Sequence, residues 1–136
     1  MNEIITKLIR RFHTNDPFEI ARGLGIHIRF LELGEGTRGL YYKKLRRRFI
    51  VINEQLDDNW RRFVCAHELA HDRLHPGLSR FWLDEQSFYN VGKYERQANK
   101  FAVRLLMAGS PPVKGETIEK LLKRNGIPEE MQSFFY

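Results

Sequence analysis

Two histidines four residues apart, His67 and His71 in the stretch FVCAHELAHDRLH (63–75), constrain this chain more tightly than any other feature. Positions four apart share one face of an α-helix, with Cβ atoms ~5–6 Å apart. At roughly 100° per residue, both fall in the middle of an arc that also holds Trp60, Phe63, Val64, Ala70 and Leu74, so both face a core. One buried imidazole is commonly satisfied by a backbone carbonyl. Two side by side each need partners, and a single metal ion ligates both at once. Glu68 lies about 100° round the same helix, at the edge of the arc beside Arg61 and Asp72, where it can meet water in a cleft. His-Glu-x-x-His on a helix is the pattern of a zinc site with a general-base glutamate.

A catalytic zinc takes three protein ligands and keeps a fourth position open. The stretch VGKYERQANKFAVRLLMAG (91–109) has strong helical spacing and sets Glu95 in the centre of an apolar arc of Ala98, Ala102, Leu105 and Leu106. A glutamate facing a core is costly unless it is paired or bound to metal, which makes Glu95 the best candidate for the third ligand. Ala66 and Ala70 on the first helix and Ala98 and Ala102 on the second let the two backbones approach closely. Asn99, one turn beyond Glu95, is placed to hold a ligand imidazole from behind. His75, Asp72, Asp84 and Cys65 compete less well. His75 is rotated about 80° from His67 and is expected at the cleft edge or just outside the ligand sphere. Asp72 is expected to face solvent, Asp84 falls in a loop, and Cys65 points away as a packing residue.

The rest of the chain predicts one domain over residues 1–136, a length that supports a single core. Residues 3–13 have helical spacing, and DPFEIARGLG follows with Asp16 as N-cap and Pro17 at the first helical position. IHIRFLEL (26–33), LYYKKL and FIVIN alternate as strands, with basic residues between the last two forming an exposed turn. The fold class is therefore α+β, a small three-stranded sheet, expected antiparallel, packed on the motif helix and the second ligand-bearing helix. Residues 78–91 are expected to be irregular, and a short helical tail occupies 115–136. No apolar run approaches the ~18 residues that cross a bilayer, so no membrane segment is expected. With no signal-peptide pattern and one cysteine, Cys65, the expected compartment is the cytoplasm. The net charge of +6 is concentrated locally, at Lys43, Lys44, Arg46, Arg47, Arg48, Arg61 and Arg62. This patch suits an anionic partner, either protein or nucleic acid.

The motif AHELAH, followed after a short stretch by YERQANKFA, resembles the ImmA/IrrE family of zinc-dependent endopeptidases. DPFEIARGLGI, FIVIN and the LH after the motif extend the similarity over roughly residues 10–108. The resemblance implies a zincin-like fold, with His67, His71 and Glu95 as metal ligands for one Zn2+ and Glu68 as the catalytic glutamate. It also implies a protein substrate, a helix-turn-helix repressor of a phage or mobile element, cleaved to derepress genes. The chain differs from the family in having only a small helical tail after residue 108.

The chemistry expected is metal-assisted amide hydrolysis, with Glu68 moving the proton from water to the leaving amine. Tyr42, Tyr89 and Tyr94 are candidate donors to the oxyanion, and FIVIN is a candidate edge strand for an extended peptide. The competing reading is a non-catalytic antirepressor, or a DNA- or repressor-binding regulator with an inert metal site. A structural zinc site draws on four cysteine-rich ligands, which this chain lacks, and a pure binder has no need of Glu68.

Overall fold

The computed structural model describes residues 1–76, 80–84 and 92–136. It is α+β, as the periodicities predict. Two short helices open the chain, α1 (Asn2–Phe12) and α2 (Pro17–Gly23), the second capped by Asp16, whose Oδ1 accepts from Phe18 N at 2.9 Å. Strands β1 (His27–Leu31), β2 (Thr37–Lys44) and β3 (Arg47–Asn53) lead to α3 (Asp58–Leu74). Then come β4 (Arg80–Asp84), α4 (Lys93–Met107), α5 (Ile118–Arg124) and a 3-10 turn, Glu129–Phe135. Among the described residues no helix is long and apolar enough to cross a membrane.

The sheet differs from the expected one in two ways. It has four strands in the order β1-β3-β2-β4, because Arg80–Asp84, inside the stretch expected to be irregular, pairs antiparallel with β2. It is also mixed, since β1 runs parallel to β3 with Ile28 opposite Ile50 and Phe30 opposite Ile52. The physical reason lies in β3. Ile50, Val51 and Ile52 are consecutive and all buried, a run that needs cover on both faces and a neighbour on each edge. FIVIN is therefore an interior strand, and it cannot serve as the peptide-pairing edge. The outer strands are β1 and β4.

Helix α3 starts at the N-cap Asp57, which accepts from Trp60 N at 2.8 Å, and stops at His75, where φ −128 leaves the helical region before Pro76. Trp60, Val64, Glu68 and Asp72 form one ridge of α3, and that ridge lies along β2. The Arg38 guanidinium sits 4.0 Å over the Trp60 ring, and the Tyr41 hydroxyl reaches Asp72. Between them Gly39 must be glycine, because an added Cβ would collide with Val64 and come within 2.9 Å of the Val51 carbonyl. That missing side chain brings the backbone of β2 beside the Glu68 carboxylate, 3.8 Å from where the Cβ would stand.

Helix α4 packs along α3 through Ala66, Ala70, Ala98 and Ala102, all fully buried. Its C-terminal carbonyls at Leu105 and Leu106 accept from Asn15 Nδ2 at 3.2 and 3.3 Å. The C-terminal segment is no loose appendage, since Leu122, Ile127 and Met131 enter the same core as Phe63 and Phe101. Arg62 ties it down, donating to the Asn125 carbonyl at 3.2 Å.

Candidate metal centre

One turn of α3 separates His67 from His71, and α4 brings Glu95 across to both. Glu95 Oε2 lies 2.9 Å from His67 Nε2, Oε1 lies 2.9 Å from His71 Nε2, and the two Nε2 atoms are 3.2 Å apart. Ligands ~2.0–2.1 Å from a tetrahedral centre stand ~3.3 Å from one another, so the three groups are spaced as a metal would space them. Among the described residues this is the cluster of histidine and acidic side chains that could hold a metal ion.

The hydrogen bonds behind the rings test that fit. His67 Nδ1 is 2.7 Å from Asn99 Oδ1, and a carbonyl oxygen only accepts, so the proton sits on Nδ1. In the neutral ring Nε2 then presents a lone pair toward Glu95. Glu95 Oε2 lies 2.9 Å from that nitrogen. Lone pairs converging on one point repel unless a cation lies between them. The residues present fit a divalent metal.

His71 is lowered to about 4, chiefly by burial, so its ring stays neutral as a ligand must. Glu68 is fully buried, and neither of its oxygens has a hydrogen-bond partner among the described residues. Burial, and then the charge of Glu95, push its carboxyl well above the usual range. A buried, unpartnered carboxylate beside a metal-binding cluster is poorly suited to stabilising the fold and well suited to taking up a proton.

The other expected residues fall into place unevenly. Asn99 bonds His67, as its position one turn after Glu95 suggested. Of the two places expected for His75, it takes the one just outside the ligand sphere and not the cleft edge. It is 5% exposed, its Nδ1 lies 2.9 Å from His71 Nδ1, and its Nε2 lies 2.8 Å from Gln97 Oε1. Asp72 does not face solvent: it accepts from Tyr41 Oη at 2.7 Å, from Arg48 at 3.0 Å and from Arg73 at 2.6 Å. That anchoring also raises the Tyr41 hydroxyl, through burial first and Asp72 second. Cys65 is buried and packs in the core. The side chain of Asp84, and all of Tyr89, lie outside the described residues.

Of the tyrosines expected near the chemistry, Tyr42 alternates with Tyr41 and so points to the sheet face away from α3, stacked at 4.7 Å on Phe49. Tyr94 packs on the His75 ring at 4.6 Å. Gln97 was missed altogether, since nothing in its spacing from Glu95 marks it as a partner of the site.

Most of the chain is similar to known proteins. Residues 21–114 match the family model described as IrrE N-terminal-like domain, Peptidase_M78. The chain is 35% identical over 131 residues to uncharacterized immunity region protein 2 of Bacillus phage phi105, an alignment covering 93% of this chain and 83% of that protein. It is 29% identical over 131 residues to metallopeptidase ImmA of Bacillus subtilis strain 168, covering 91% of this chain and 76% of that one. No solved structure matches significantly.

Proposed function

The chain belongs to the IrrE N-terminal-like peptidase family, and from that premise we propose that it is a zinc-dependent endopeptidase whose substrate is a helix-turn-helix transcriptional repressor. Residues 1–136 act as one metallopeptidase domain in the cytoplasm, and cleavage of the repressor releases phage or mobile-element genes. The observation that carries this reading is Glu68, buried beside His67, His71 and Glu95 with no hydrogen-bond partner among the described residues.

His67, His71 and Glu95 would hold the zinc. When bound, the metal supplies Lewis acidity, which polarises a scissile carbonyl and acidifies water. Glu68 takes the proton from the attacking water and delivers it to the departing amide nitrogen, a role that its raised proton affinity suits. The Glu68 carboxylate is buried, with the bare backbone of Gly39 beside it. Asn99 holds the His67 ring in place throughout.

The test is incubation of zinc-loaded protein with a helix-turn-helix repressor from the same genome, followed by mass analysis for two discrete fragments. Glu68→Gln keeps the fold and the metal and should lower cleavage on the order of 10²- to 10⁴-fold, because an amide cannot accept the proton. Equal cleavage by both proteins would remove the peptidase reading.

A further inference from the structure

We propose that Gln97 and His75 form a relay that fixes His71 in the tautomer a metal requires, making both of them positioning residues of the centre. The inference rests on reading His67, His71 and Glu95 as a metal site. The two ligand histidines are supported differently. The His67 ring meets an amide oxygen of α4 directly, Asn99 Oδ1 at 2.7 Å. His71 has instead a second imidazole behind it, at 2.9 Å between the Nδ1 atoms.

A contact between two ring nitrogens requires one to carry the proton and the other a lone pair. The next link decides which. His75 Nε2 is 2.8 Å from Gln97 Oε1, an acceptor, so Nε2 carries the proton of the neutral His75 ring. His75 Nδ1 is then a lone pair, and it accepts from His71 Nδ1–H. This leaves His71 Nε2 as a lone pair, pointed at the place where Glu95 Oε1 stands 2.9 Å away. Reversing the Gln97 amide would reverse every proton in the chain and put a hydrogen on Nε2, where it blocks ligation. A neutral ligand with one defined tautomer is what outer hydrogen bonds provide to metal-bound histidines.

The backbone places His75 for this. His75 N donates to His71 O at 3.0 Å, closing the last turn of α3, and φ −128 then turns the chain away before Pro76. The ring is wedged edge-on against Tyr94 at 4.6 Å, one turn from Gln97 on the same side of α4. Helix α4 thus supplies the Glu95 ligand and, through Asn99 on one flank and Gln97 on the other, orients both histidines.

The experiment measures Co2+ affinity by competition and, on metal-free protein, the His71 tautomer from side-chain nitrogen chemical shifts. His75→Leu should weaken Co2+ on the order of 10- to 100-fold and populate the Nε2–H form of His71. Gln97→Leu, at a half-buried position that tolerates change, should shift the tautomer in the same direction with a smaller loss. His75→Asn should restore both readouts, because its amide oxygen falls near the lost Nδ1 and accepts as Asn99 does for His67. Unchanged affinity and tautomer in folded His75→Leu and Gln97→Leu would overturn the relay. So would equal losses in His75→Leu and His75→Asn, which would make His75 a packing residue. Wild-type protein that binds Co2+ through this relay but cuts no substrate would remove the peptidase reading alone, whereas wild-type protein that binds no metal would remove both.

Discussion

The α3–α4 pair and the β2–β3 hairpin are both rich in polar and charged side chains, and they treat them in opposite ways. Between the helices, His67, His71, His75, Glu95, Gln97 and Asn99 point inward and are linked ring to amide to carboxylate. At the hairpin tip Lys43, Lys44, Arg46 and Arg47 point outward, and no ion pair among the described residues involves any of them. Between Lys44 and Arg47 the chain turns on Leu45, which is 89% exposed and held at φ 58, a conformation that favours glycine. Charge that converges is held by geometry and sets chemistry. Charge that diverges sets only a field, which acts on whatever approaches.

Arg48 shows that the boundary between the two regimes is a single residue. It follows Arg47 directly, yet it turns inward to Asp72 at 3.0 Å and to the Leu24 carbonyl. Arg61 and Arg62, expected to extend the basic patch, also leave it, donating to the carbonyls of Glu54 at 2.6 Å and Asn125 at 3.2 Å. The free patch is therefore smaller than the sequence suggested.

The largest expected effect belongs to the converging region. Zinc at a free concentration about 1,000-fold above its Kd should stabilise the protein by about 4 kcal/mol, seen as a fall in Tm when a chelator is added. His67→Ala should abolish that difference; a chelator that leaves Tm unchanged would break the comparison.

Next comes the boundary. Asp72→Ala strands the Tyr41 hydroxyl and the Arg48 guanidinium, and should cost about 2–4 kcal/mol in urea unfolding. A cost no larger than that of Lys44→Ala would place Asp72 with the surface charges. The smallest effect belongs to the tip. Replacing Lys43, Lys44, Arg46 and Arg47 with Ser should change stability by no more than about 0.5 kcal/mol per site. If the patch steers an acidic segment of the substrate, these substitutions slow cleavage most at low salt and leave turnover at saturation unchanged. Salt-dependent DNA binding lost with the same substitutions, alongside unchanged cleavage, would assign the patch to nucleic acid instead.

The sequence by itself determined what depends on one element's own period. The helical repeat predicted that His67 and His71 share a face, that Glu95 and Asn99 share another, and that alanines line the contact between them, because a residue's direction from its helix axis is set locally. Alternation likewise marked IHIRFLEL, and LYYKKL and FIVIN read as two more strands, which the structure bounds at His27–Leu31, Thr37–Lys44 and Arg47–Asn53. Only the tertiary structure decided which element arrives opposite each side chain. Neither the parallel pairing of β1 with β3, nor the inward turn of Arg48 and Asp72, nor the meeting of His75 with Gln97 is encoded in the spacing of any one segment. Each is a contact between elements far apart in the chain, and its partner is chosen by how the whole core closes rather than by the periodicity of either side.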